Sequence, residues 1–79
     1  MQKHEYCIGD YVMVDPGTYR AIEYNLKQEP AYAGIYYLSQ SEVGQIYDII
    51  RTRWDTFSYN IALQDCIIET YAKDIVLFE

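Results

Sequence analysis

Between residues 57 and 63 the chain alternates strictly. Phe57, Tyr59, Ile61 and Leu63 are large and apolar, and Ser58, Asn60 and Ala62 between them are small or polar. Successive side chains of a strand point to opposite faces, so this run predicts a strand with one buried face and one small, polar face. A helix cannot use the pattern, because its apolar positions must recur at intervals of three and four. A lone strand is not stable, and the flanking sequence supplies partners.

Tyr11 to Asp15 predicts a first strand, rich in β-branched and aromatic residues. Pro16-Gly17 ends it, since proline removes a ladder donor and glycine permits a turn. Gly44 to Ile50 predicts a second strand, the run from Phe57 a third, Cys66 to Thr70 a fourth and Ile75 to Phe78 a fifth. Ala72-Lys73-Asp74 reads as a tight, 3₁₀-like turn before the last. An insertion of about residues 16–43 separates the first two strands. Inside it Tyr19, Ile22 and Leu26 fall on one helical face, Thr18 can cap and Pro30 can stop, so a short helix is expected over 18–29. Residues 31–41 hold Tyr32, Tyr36 and Tyr37 around Gly34 and fit either a strand or a structured loop. The fold expected is mainly β: one domain over 1–79, a five-stranded antiparallel barrel with a partly helical insertion between strands 1 and 2. Closure is expected because it removes exposed sheet edges.

Size and charge narrow the function. Seventy-nine residues make one domain and leave little room for a deep substrate cavity. The apolar fraction of 51% can build a core, and ten tyrosines imply aromatic sheet faces or an adhesive surface. Net charge is −6, with 3 basic and 7 acidic residues up to position 50 and 3 basic and 5 acidic after it. Neither part offers the broad basic face that phosphate contacts need, which disfavours direct nucleic-acid binding. No apolar run approaches the ~18 residues of a membrane span, and no basic-then-apolar leader is read at the start. A reducing cytoplasm is therefore expected, with Cys7 and Cys66 as free thiols.

Catalytic groupings are sparse. His4 is the one histidine, and it lies three residues from Cys7 without a third group to activate the pair. His4, Cys7 and Cys66 lack the paired close spacing of a structural zinc site. Asp10, Asp15, Asp65 and Asp74 fall beside strands and in turns, where aspartate caps local amides. The glycines at 9, 17, 34 and 44 are too scattered for a phosphate loop. No enzyme activity, cofactor or metal is expected. Partner-binding residues are sought in two groups. Arg51, Arg53 and Trp54 share a connection between strands, and Arg and Trp are enriched at binding hot spots. Tyr32, Tyr36 and Tyr37 form the second group. Against these stand plainer readings: Trp54 closing the barrel end, and the tyrosines packing the insertion against the barrel.

Three short patterns carry a family resemblance. Gly9-Asp10-Tyr11-Val12 opens the first strand, Gly44-Gln45-Ile46-Tyr47-Asp48-Ile49 begins the central hairpin, and Tyr71-Ala72-Lys73-Asp74-Ile75-Val76 leads into the last strand. In that order they resemble the SH3-like barrels of KOW type, over residues 9–15 and 44–79. The resemblance implies a five-stranded barrel with a 3₁₀ turn before the closing strand. KOW-type domains that touch RNA tend to be basic, and this chain is acidic. Its size and acidity are also similar to small accessory proteins of bacteriophages and mobile elements, many of which inhibit a host enzyme by contact. The leading expectation is a non-catalytic protein-interaction module, using the insertion and the 51–54 connection. An acidic inhibitor, or nucleic-acid mimic, of a basic nucleic-acid enzyme such as a defence nuclease is the alternative. Direct RNA contact through Arg51, Arg53 and Trp54 comes after it. A tyrosine face could equally pair two copies of the chain as a homodimer.

Overall fold

A computed structural model describes residues 6–52, 54 and 56–78. Seven strands follow one another: β1 Tyr11–Val14, β2 Gly17–Tyr24, β3 Pro30–Leu38, β4 Glu42–Arg51, β5 Phe57–Ala62, β6 Ile67–Tyr71 and β7 Ile75–Leu77. A 3₁₀ turn, Ala72–Asp74, joins the last two, where the sequence places it. All pairings are antiparallel, and the strand order is β3-β2-β6-β5-β4-β1-β7. No helix among the described residues is long and apolar enough to cross a membrane.

The mainly β expectation holds, and three of its details do not. The sheet has seven strands rather than five. It is open, with β3 and β7 as its edges. The insertion is a β-hairpin and contains no α-helix. Tyr19 and Ile22, read as one helical face, point to opposite sides of β2, and Leu26 is fully exposed at the hairpin tip. Asn25 decides the matter locally. Its side-chain oxygen accepts from the backbone of Lys27 and of Glu29, both at 2.9 Å, and its Nδ2 donates to Glu29 at 2.8 Å. That closes a turn at the point where a helix would have to continue. Gln28 takes the left-handed conformation within it, at φ 61. The β-prone Tyr19, Ile22 and Tyr24 then pair with β3, and residues 31–38, undecided from sequence, become that partner strand.

The core is one cluster. It draws Val12 and Val14 from β1, Tyr19 from β2, Leu38 from β3, Ile46 from β4, Tyr59 and Ile61 from β5, Ile68 from β6 and Ile75 from β7. Leu38 and Ile75 come from the two opposite edges, so the sheet must curl until its ends approach one face. Tyr6 packs edge-on against Tyr59 at 5.3 Å and donates to the Ile75 carbonyl. Gly44 allows β4 to press against β5. A Cβ there would meet Ile61 Cγ2 at 2.5 Å and the Ala62 carbonyl oxygen at 2.9 Å.

The alternating run is β5, with Tyr59 and Ile61 buried as read. Its other face is not open to solvent. Ser58 and Asn60 are as deeply buried as the apolar residues, and the far end of the β2–β3 hairpin folds over Asn60. Two layers are thus built on a single sheet, an apolar one inside the curl and a polar one outside it.

Candidate functional site

Two β-bulges determine what faces this outer layer. In β4, Ile46 lies opposite Ile61 and Asp48 opposite Asn60, so Tyr47 is an extra residue. The insertion inverts the alternation, and Asp48 moves to the outer face while Ile46 stays in the core. In β3, Ile35 lies opposite Arg20 and Tyr32 opposite Ile22, so Ala33 and Gly34 share one partner position. Gly34 adopts φ 111, which few other residues accept. This bulge turns Tyr32 to the same face as Ile35 and Tyr37.

Register then lays a polar row across four strands: Arg20 on β2, Glu69 on β6, Asn60 on β5 and Asp48 on β4. Asp48 is held from above. Tyr24 Oη donates to Asp48 Oδ2 at 2.9 Å and accepts from Asn60 Nδ2 at 2.7 Å. Tyr47 packs its ring at a tilt against Tyr24, centroids 4.9 Å apart, and donates to Gln28 in the hairpin tip. Burial, with the Asp48 carboxylate beside it, pushes the Tyr24 hydroxyl up to about 12 despite the opposing Asn60 bond. Asn60 Oδ1 is buried and has no hydrogen-bond partner among the described residues.

Beneath the hairpin, Arg20, Glu69 and Asn60 of this row line a groove of about 200 Å³ together with Ile22, Pro30, Ala31, Tyr32 and Ile50. The Arg20 guanidinium lies over the Tyr32 ring, 5.6 Å from its centroid. Arg20 and Glu69 also border a larger depression of about 540 Å³ that includes Thr18, Tyr71, Lys73 and Asp74.

Of the residues expected to bind a partner, Tyr32 and Tyr37 come together on the outer face of edge strand β3, 60% and 71% exposed, with Ile35 between them at 63%. Tyr36 does not join them. It points inward and packs on the core opposite Tyr19. Arg51 ends β4 exposed, across from Phe57. Trp54 is 74% exposed in a connection tied by Thr52 and Thr56, so it does not close a barrel end. Arg53 lies outside the described residues, as does His4. Asn60, Glu69 and Arg20 were not singled out as site residues in the sequence. A glycine within a strand signals a bulge, and Gly34 was that signal.

Among the other polar residues, Asp10 caps the Cys7 amide and Asp74 the Tyr71 amide, as turn aspartates do. Asp15 and Asp74 lie near Tyr19, and Glu42 and Asp65 near Tyr36, its cross-strand partner. Burial comes first in raising both hydroxyls, and these carboxylates add to it. Cys7 and Cys66 are both free thiols. Burial and then Asp65 push the Cys66 thiol up.

The geometry defines a mainly β, single-sheet protein with an aromatic edge strand and a polar groove beside it. Comparison with protein families, with curated proteins and with solved structures finds no match.

Proposed function

We propose that the chain is a small, non-catalytic protein-binding module. Its contact surface is the outer face and free edge of β3, together with the adjoining groove. The observation that carries this reading is the exposure of Tyr32, Ile35 and Tyr37 side by side on an edge strand of nine residues. Contiguous apolar patches on such a strand mark interaction sites, and an unpaired edge offers backbone groups to an extended partner segment. Arg51 and Trp54, exposed at and just beyond the end of β4, are a second contact region in this reading; Ile50 lines the groove with Tyr32, and Arg51 alternates to the other face.

The SH3-like reading is supported by β1 lying between β4 and β7, by the hairpin after β1 and by the 3₁₀ turn before β7. Two free thiols fit a reducing, cytoplasmic setting. The acidic-inhibitor reading, with its bacteriophage-type origin, draws on one specific feature: four carboxylates, Asp15, Asp74, Glu42 and Asp65, flank the neighbouring Tyr19 and Tyr36.

Capture from a bacterial lysate tests the module, comparing wild type with Tyr37→Ser. A defined partner retained by the wild type and lost by the variant supports it. A partner lost only at high salt and indifferent to Tyr37→Ser favours the acidic reading. Elution as a dimer that Tyr37→Ser dissolves means that the partner is a second copy.

A further inference from the structure

Asn60 and Glu69 stand directly opposite each other in the β5–β6 ladder, on the floor of the groove. Asn60 is 2% exposed, its Nδ2 is engaged by Tyr24, and its Oδ1 has no partner among the described residues. The amide orientation is fixed by Tyr24, whose hydroxyl spends its proton on Asp48 and so accepts from Asn60 Nδ2, leaving Oδ1 as the unmet end. Native proteins rarely bury such an atom without a use for it. Cross-strand neighbours lie about 5 Å apart at Cβ, so the Asn60 oxygen and the Glu69 carboxylate present two adjacent acceptors. Ile22, Pro30 and Ile50 supply apolar walls above them.

Adjacent acceptors, one of them anionic, between apolar walls suit a flat cation with several fixed donors carried on an apolar stem. That is the chemistry of a guanidinium group. An ammonium is a point charge without the fork needed to satisfy both acceptors. The net charge of −6 adds attraction for a cation. Arg20 already lies over the Tyr32 ring, so that wall accepts a guanidinium face. In the cross-strand row Arg20 stands on the β2 side of Glu69, and Asn60 stands on the other.

The geometry points to an arginine side chain of a partner protein as the occupant of this groove, donating to Asn60 Oδ1 and to Glu69, with its methylene stem along Ile22 and Ile50. The assignment rests on the protein-binding reading and names the partner chemistry that the groove selects.

The test is an NMR titration of the full chain with a blocked Gly-Arg-Gly peptide, beside matched lysine and citrulline peptides. The arginine peptide is expected to shift the Asn60 side-chain amide and the Glu69 and Tyr32 signals, the lysine peptide less, and the neutral citrulline peptide not at all. Glu69→Gln should weaken arginine binding about tenfold, the loss of one charged hydrogen bond. Asn60→Leu should do the same if it folds, and Glu69→Gln decides alone if it does not. Absence of shifts, equal response to citrulline, or a titration unchanged by Glu69→Gln overturns the assignment. The two readings fail separately. A captured partner lost on Tyr37→Ser but indifferent to Glu69→Gln keeps the module and removes the arginine. Arginine shifts with capture indifferent to Tyr37→Ser keep the groove and remove the β3 surface.

Discussion

Tyr24 donates a hydrogen bond to Asp48 across 2.9 Å, although β6 and β5 separate their strands in the sheet. The hairpin bearing Tyr24 therefore arches over two strands before it lands. Its landing point is a phenol held between an amide and a carboxylate.

That phenol links stability to alkaline pH. Its acidity is weakened in the fold, from 10.0 to about 12, so the folded state keeps a proton that the unfolded chain releases. The contribution is intact below pH 10 and is lost as pH rises toward 12. Tyr19 and Tyr36, also raised, act with the same sign. Urea midpoints measured across this range should fall less steeply for Tyr24→Phe than for wild type. Parallel slopes would show that Tyr24 does not carry the linkage.

Neighbours on β5 should respond unequally to substitution. Ile61→Ala opens a cavity in the apolar layer and should cost about 2–5 kcal/mol. Asn60→Leu loses the bond to Tyr24 but removes a buried oxygen that has no donor, and the two effects nearly offset, to within about 1 kcal/mol. Chemical denaturation measures both. A loss for Asn60→Leu as large as for Ile61→Ala would mean that Oδ1 is satisfied in solution.

Gly44→Ala should destabilise the domain by about 1–3 kcal/mol, because the added methyl meets the Ala62 backbone and cannot push it aside cheaply. An unchanged denaturation midpoint would show that β4 and β5 can separate.

Adjacent tyrosines on β3 should divide by face. Tyr37→Ser removes an exposed ring and should stay within about 0.5 kcal/mol of wild type. Tyr36→Ala removes a ring packed on the core and should cost at least about 1 kcal/mol. Equal thermal midpoints for the two would place Tyr36 on the surface.

The thiols should differ as well. Cys7 is exposed, while Cys66 is half-buried and its thiolate is suppressed. Iodoacetamide should modify Cys7 first in the native protein, and urea should abolish the difference. Equal native rates would contradict the burial of Cys66.

The apolar layer was largely legible in the sequence, because Val12, Val14, Ile46, Tyr59, Ile61, Ile68 and Ile75 all sit in runs whose composition and spacing announce strands. The hairpin was not. Tyr19, Ile22 and Leu26 fit a helical interval by coincidence, and the Asn25 turn that forbids the helix works through side-chain bonds that a spacing rule does not weigh. The groove was hidden for another reason. Tyr32 and Asp48 reach the outer face only because a bulge adjoins each along its strand, and simple alternation sends both to the wrong face. Asn60 looked like the small, polar side of an exposed strand until the hairpin covered it. Residue type singled out Tyr32, Tyr36 and Tyr37 together, but it carries no facing, and the structure turns Tyr32 and Tyr37 outward and Tyr36 inward.

The polar layer described above is fastened by few bonds. Tyr24 and Tyr47 pin the hairpin tip to β4, whereas the apolar layer is tied through every strand. The domain therefore holds two units of unequal cooperativity. Uncovering Asn60 therefore asks for the loss of three hydrogen bonds and one ring contact, a local event rather than a global unfolding.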